Sequence, residues 1–422
     1  MIPGPRSREL IAALQRYEAR GVTYVDERFP VAWERATGAT VVDADGNRYT
    51  DLTSAFGVAN VGHGNPAVRT AIAAQAEAMI HGMGDLHPPG VKVRLLERLA
   101  AIAPGDLSKT YLASAGAEAV EFALKTAFLR TGKPRVAAYR GAYHGLSLGA
   151  LGVIGIEKFR TPFSPLVAQT ATFVEYPRTD AETALAALRA LFERDRSLGA
   201  LIIEPIEGRA GVLVPPPGYL RGLRELCDAF DVVLIFDEIY TGFARTGTMF
   251  ACEAEGVVPD IMCVGKALAC GVPLSAAIGR PHVVDAWAPS SGEALHTSTY
   301  LGNPLGCAAS LAVIGEIERL GLVERSKTLG AQLGARLAEL RRYRAVRDVR
   351  GRGMLWGVEF DEAGFLIELV HRALRAGLIL LPSGVAGNVL TIAPPLVIEE
   401  DELWDAIDRL ERLIAGPAGG KG

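Results

Sequence analysis

At 422 residues the chain is too long for one small core and suits a large α/β domain with a smaller companion. Hydrophobic residues make up 49% and charged residues 22%, ordinary values for a soluble globular enzyme, and a net charge of −4 spread along the chain gives no electrostatic case for nucleic acid. The opening MIPGPRSREL lacks the apolar centre of a signal peptide, and no apolar run approaches the roughly 20 residues of a membrane span, so a cytoplasmic location is expected. Cys227, Cys252, Cys263, Cys270 and Cys307 are odd in number and form no CxxC pair, which argues for reduced thiols rather than a disulfide framework or a zinc site.

In chain order, VVDADGNRYTDLTS reads as a hairpin turning at Asp45-Gly46 and is assigned to the smaller domain. His81, Asp85 and His87 in HGMGDLHPPG fit none of the usual ligand spacings, so a loop near the pocket is expected there and no metal. Short β-rich runs then alternate with helical stretches, the pattern of a mainly parallel sheet with helices on its faces. The predicted strands are 110–113, 135–139, 200–204, 232–236, 261–264 and 275–279. Between the third and fourth, Leu220, Leu223, Cys227 and Phe230 share one helical face, as in a crossover helix packed on the sheet. From Cys307 a long helical pattern leads into the strand MLWGVEF, and the alternation in GLILLPSGVAGNVLTIAPPL predicts a second small sheet. The tail GPAGGKG is too Gly-rich to order itself.

Ligands of such sheets bind at the carboxyl ends of the strands, where Asp237 and Lys266 both fall. An acid ending a buried strand and a lysine at a neighbouring strand end are what pyridoxal 5'-phosphate (PLP) chemistry needs: the lysine carries the cofactor as a Schiff base and the acid keeps the pyridine nitrogen protonated. Singly, each has an ordinary reading as a solvated lysine or a helix cap. SAGAEAVEFALKTAFLR runs from small residues into a helix, so backbone amides near Gly116 offer an anion site, although a plain helix cap fits as well. Tyr143 and His144 sit at another strand end, where the tyrosine suits either stacking on a flat cofactor or core packing. Thr297, Ser298 and Thr299 supply hydroxyls for a phosphate or simply cap the following helix.

SAGAEA, YHG, EPIEGRAGV, DEIYTGFARTG, VGKA, HTSTYLGNPLGCAA and APPLVIEEDEL occur in the order and approximate spacing of the class III PLP-dependent aminotransferases, and the chain resembles that family from about residue 20 to residue 412. The resemblance implies an α/β chain of the PLP-dependent transferase fold type I (aspartate aminotransferase-like), with residues 1–60 in the small domain, 61–305 forming the large PLP-binding domain, and 306–422 a C-terminal small domain with a disordered tail. It implies that Lys266 is the Schiff-base lysine and proton carrier, Asp237 the pyridine-nitrogen partner, Ile239 the aliphatic residue below the ring and Tyr143 the aromatic above it. Ser114, Ala115, Gly116 and Ala117 fall at the phosphate, with Ser298 nearby. His144, Glu204 and Tyr240 join the cofactor contacts. Thr299 matches a threonine that reaches the phosphate of the neighbouring subunit, which implies a homodimer with shared active sites.

Departures from the family pattern bear on substrate. Ala115 stands where the family usually has Ser or Thr, and Tyr240 replaces the usual Gln at the ring oxygen. In the ornithine and 4-aminobutyrate enzymes an arginine before APPL binds the glutamate carboxylate, and a glutamate in EPxQGExG masks it; here these positions are Thr391 and Arg209. Arg209 either replaces the lost clamp from the opposite wall, pairs with Glu207, or points to solvent. Phe56 and Leu146 occupy places where the ornithine enzyme has a tyrosine and an arginine, so the pocket is expected to be more apolar. The implied activity is ping-pong transfer of an amino group from a small-molecule donor to an oxo acceptor through pyridoxamine phosphate. An aminomutase or epimerase of the same fold shares these motifs, and a non-catalytic PLP-fold binding protein is a third reading.

Overall fold

The computed structural model describes residues 2–416. Through its middle runs a seven-stranded sheet, in spatial order Lys109–Ala113, Ser275–Gly279, Ile261–Val264, Val233–Asp237, Leu198–Ile203, Arg135–Tyr139 and Ala171–Val174. Neighbours are parallel from Ile261–Val264 to Ala171–Val174, and Ser275–Gly279 runs antiparallel to both strands beside it. Side chains alternate between faces, so Val233 and Ile235 pack on one side and Leu234 and Phe236 on the other. All four are buried, which is why the strand reads as an unbroken apolar run. The helix Gly116–Thr131 covers the first face through Ala119, Val120 and Ala123. The helix Tyr219–Phe230 covers the second through Leu220, Leu223 and Cys227, while Phe230 is half-buried against Phe192.

The predicted strands shift by at most two residues. The run placed at 200–204 is Leu198–Ile203, which leaves Glu204 just beyond the strand, and the run placed at 232–236 is Val233–Asp237. Ala171–Val174 escaped prediction because it is a four-residue edge strand, half-buried throughout. Two smaller sheets flank the large one. Trp33–Thr37, Thr40–Asp43 and Arg48–Asp51 form the expected antiparallel meander, with Gly46 at φ +85° in the turn and the Asp43 carboxylate accepting from the amides of Asp45 and Asn47. The other contains Val346–Arg352, Leu355–Phe360, Val389–Ile392 and Leu381–Ser383. The expectation that the segment from residue 377 builds only this second sheet needs correcting: Leu378–Ile379 leaves it and pairs parallel with Arg48–Asp51. The tail lies almost wholly in residues 417–422, outside the described residues. All five cysteines are free and four are buried. No helix among the described residues is long and apolar enough to cross a membrane.

Arg245 ties distant parts of the chain together. It is fully buried, donates to the carbonyls of Met354 and Pro394 at 3.0 and 2.7 Å, and donates to Ser54 Oγ and Asn60 Oδ1. Burial lowers its pKa to about 10, so it remains charged at neutral pH. Arg245→Met strands two buried carbonyls but also removes a desolvated charge. The expected net loss is about 2–4 kcal/mol, read as a lower urea midpoint; an unchanged midpoint would contradict it.

Candidate active site

Four neighbouring strands deliver the expected residues to one end of the sheet. Asp237 ends its strand, Lys266 follows Ile261–Val264 by two residues, Glu204 follows Leu198–Ile203, and Tyr143 and His144 follow Arg135–Tyr139. All five line a cavity of about 540 Å³ at the carboxyl ends of the parallel strands. The same cavity is lined by Gly116, Ala117, Ile239, Tyr240, Arg209 and, across from the sheet, Phe56, Leu146 and Thr391.

Asp237 is buried and doubly held: Oδ1 accepts from the Ile239 amide at 3.0 Å, and Oδ2 lies 2.8 Å from His144 Nδ1. His144 is itself buried, and its Nε2 has no partner among the described residues. Lys266 has a left-handed backbone, φ +45°, and its Nζ lies 4.9 Å from the centre of the Tyr240 ring with no ion-pair partner among the described residues. Burial pushes its ammonium below the ordinary lysine range; Asp237 and Glu204 oppose that shift and the Arg209 guanidinium adds to it. Such a lysine is a better base and nucleophile than an exposed one. Tyr240 reaches its place because Gly57 and Gly208 leave room: a Cβ on either would come within 2.3 Å of the tyrosine ring.

Glu204 organises the opposite side. Its Oε1 accepts from the Tyr143 amide at 2.9 Å and its Oε2 from the Gly208 amide at 3.1 Å, so one carboxyl fixes both the Tyr143 loop and the turn carrying Arg209. Burial raises its pKa to about 7, against the pull of His144 and with the help of Asp237. Arg209 is not paired with Glu207, nor does it simply point to solvent. Its guanidinium sits 5.3 Å from the ring centres of both Tyr143 and Phe159, at the cavity wall. Glu207 is wholly buried, neither carboxyl oxygen has a partner among the described residues, and desolvation holds its pKa well above the ordinary carboxylate range.

Thr391 is buried, and its Oγ1 lies 2.6 Å from Ser383 Oγ, so no cation stands where the resemblance places a clamp. Phe56 lies in a run of three left-handed residues, Ser54, Ala55 and Phe56, at φ 49°, 48° and 64°, and the ring is 57% exposed over the cavity. Ser114 and Ala115 precede the cavity-lining pair; the Ser114 amide donates to Glu118. Ser298 and Thr299 do not line this chain's cavity; Ser298 Oγ is buried without a partner and Thr299 is exposed. His81, Asp85 and His87 lie in an irregular loop and are not among the residues lining this cavity, and the described residues contain no group of three or more His, Cys, Asp or Glu side chains able to hold a metal. Phe159, Thr23, Pro382 and Ser383 were missed in the sequence, where nothing in their spacing marks them.

The site fits a flat, phosphate-bearing cofactor. The helix Gly116–Thr131 starts without a side-chain cap, and the amides of Gly116 and Ala117 have no acceptor among the described residues. A Cβ on Gly116 would lie 2.8 Å from Ile239 Cδ1, and one on Gly145, at φ +111°, 2.5 Å from Ala117 Cβ, so the strand-end loops pack this closely around the helix start only because these are glycines.

A sheet of this topology with a half-buried lysine past one strand end and a carboxylate at the next defines a PLP-dependent enzyme of fold type I. An ornithine aminotransferase from Toxoplasma gondii, whose structure shows partial occupancy of PLP at the active site, superposes with a TM-score of 0.87 at 30% identity, covering 96% of this chain and 94% of that one. Residues 23–414 match the family aminotransferase class-III, and the chain belongs to that family, whose cofactor is PLP. Acetylornithine aminotransferase of Methanosarcina mazei is 39% identical over 386 residues, 91% of this chain and 92% of the relative. The 4-aminobutyrate aminotransferase of Mycobacterium leprae is 37% identical over 444 aligned positions, 98% and 96% of the two chains.

Proposed function

We propose that this aminotransferase works by a ping-pong mechanism on substrates whose carboxylate is held by Arg209. The observation that carries the reading is the placement of a guanidinium with no ion-pair partner among the described residues in the same cavity as Lys266 and Thr391, the latter where the resemblance places an arginine. Bound in this cavity, PLP would supply an electron sink for the pair released when a substrate Cα–H bond breaks and a carbonyl able to carry the transferred amino group. Lys266 anchors the cofactor and, through Nζ, takes and returns the proton at the substrate carbon. Asp237, steadied by His144 and the Ile239 amide, balances positive charge on the cofactor's ring nitrogen. Tyr143, Ile239 and Tyr240 line the cavity and would hold the cofactor ring, and the Gly116 and Ala117 amides would receive its phosphate. Glu204 positions Tyr143 and the Arg209 turn through the Tyr143 and Gly208 amides.

A homodimer completes the reading. Ile80, Met83, Leu86, Leu295 and Tyr300 are exposed large apolar residues, and the His81 and Tyr300 rings meet at 5.6 Å, which joins both loops into one surface. Thr299, exposed beside Tyr300, would on this reading reach the partner's phosphate.

Without acceptor, the PLP-loaded enzyme is expected to release one free carbonyl product per site and to convert its cofactor to pyridoxamine phosphate. Return of the amino group to the same skeleton, with no free carbonyl, would instead mark an aminomutase or epimerase. Arg209→Ala is expected to lower kcat/KM for carboxylate-bearing donors by about 10- to 100-fold, as loss of charge-assisted hydrogen bonds predicts, while neutral amines change by no more than about threefold. Equal losses on both substrate classes would remove Arg209 from carboxylate recognition.

A further inference from the structure

A second cavity of about 960 Å³ opens off the cofactor cavity. The two share Thr23, Phe56, Arg209, Leu381, Pro382 and Ser383, so Arg209 and Phe56 stand at the junction. The outer walls come from the first helix, Pro5–Tyr17, and the segment after it: Ile11, Leu14, Val22 and Val25 face Ile367 and Val385 across the space. Leu14, Val22 and Val385 are 47%, 51% and 60% exposed, an apolar lining open to an occupant.

Charge is distributed unevenly between the two spaces. Among the described residues Arg209 is the only arginine lining the cofactor cavity, which Lys266 also lines, so a carboxylate bound on Arg209 shares that cavity with the reacting end of the substrate. Beyond the junction, the remaining charged lining residues, Glu18, Arg20 and Lys158, are all exposed, leaving the body of the cavity apolar. The reacting end of a short amino acid is accommodated in the 540 Å³ cavity and leaves the larger space unused.

We propose that the amino donor is an amino acid with a long apolar side chain, its carboxylate on Arg209 and its side chain passing Phe56 into the 960 Å³ cavity. This deepens the proposed function and rests on Arg209 as the carboxylate site. Substitution at Leu14, on an exposed face of the first helix, probes the far wall without disturbing the sheet.

The test begins with binding. Calorimetric titration of the PLP-loaded enzyme with butanoate, hexanoate, octanoate and decanoate is expected to show affinity rising about three- to fourfold per added methylene, the gain for burying each CH₂. Donor half-reactions run from alanine to 2-aminooctanoate should show kcat/KM rising in parallel, and Leu14→Glu should cut the ratio of 2-aminooctanoate to alanine by about tenfold or more. Affinity independent of chain length, or an unaltered ratio in Leu14→Glu, would overturn the proposal and mean that something other than substrate covers the cavity. If no donor of any length releases a carbonyl, the aminotransferase mechanism fails, while the carboxylate titration still reports on the cavity.

Discussion

Lys266→Ala is expected to lower turnover by roughly 10⁴-fold or more, the scale of removing both a covalent anchor and a positioned base. Borohydride treatment of the PLP-loaded wild type should fix one cofactor mass to the peptide containing Lys266, and the variant should gain none. The structure also separates this outcome from simple misfolding. Lys266 pairs with no carboxylate among the described residues, touches the Tyr240 ring at 4.9 Å, and occupies a left-handed backbone position that alanine inherits unchanged. Because burial lowers its pKa below the usual 10.5, the folded state binds the proton less tightly than the unfolded chain. The charged lysine therefore opposes folding, and the penalty grows as pH falls from about 10.5 toward the lowered folded-state value. PLP-free Lys266→Ala should be at least as stable as PLP-free wild type at neutral pH, with the difference shrinking above pH 10.5. A variant that loses urea stability together with activity would assign Lys266 a structural role instead.

The parts of this site legible in the sequence are those set by buried parallel strands. Val233–Asp237 and Ile261–Val264 are buried on both faces, so each appears as a continuous apolar run whose last residue is easily located, and the residue presented at its carboxyl end follows directly. The helix start at Gly116 was legible for a related reason: small residues before an amphipathic run leave amides uncapped. Other elements carry no periodic signal. Val346–Arg352 holds three arginines and an aspartate, and a register shift between Val346 and Asp348 breaks the alternation that would have marked a strand. Leu378–Ile379 is two residues long and finds its partner more than 320 positions away, a pairing no local pattern encodes.

The substrate walls were least legible, and for a physical reason. Val22, Tyr24 and Val25 are exposed and belong to no helix or strand, so hydrophobicity there resembles a loop's ordinary scatter until the fold curls the segment over Phe56. Arg209 was legible as an unexpected charge, yet its neighbours were not. Phe159 arrives from a short helix about 50 positions earlier in the chain, and Glu207, the obvious ion-pair partner by spacing, is buried two residues away with no partner for its carboxyl among the described residues. Local spacing suggested a salt bridge; the backbone instead turns the two side chains into different environments, one wet and stacked on aromatics, the other dry.

Asp237→Asn is expected to reduce kcat/KM by about 10³-fold, comparable to removing a preorganised charge from a water-excluded site. The substitution keeps the side chain's size and leaves Oδ1 able to accept from the Ile239 amide, now at 3.0 Å, so the strand end and the residue below the cofactor ring stay in place. What changes is the atom facing His144 Nδ1 at 2.8 Å and the charge available to the ring nitrogen. If Asp237 acted only as a brace for His144 and Ile239, the isosteric amide would preserve most of the function and the loss would stay within about tenfold. A charge role predicts the larger loss, with the urea midpoint of the PLP-free variant near that of wild type and PLP still captured by Lys266 on borohydride reduction. Retention of PLP with a 10³-fold slower half-reaction would place the defect in breaking the Cα–H bond, and a substrate deuterated at that carbon should then show a larger rate effect than it does with wild type. A variant that turns over within tenfold of wild type would show that the carboxylate's charge is dispensable and that Asp237 serves the fold rather than the chemistry.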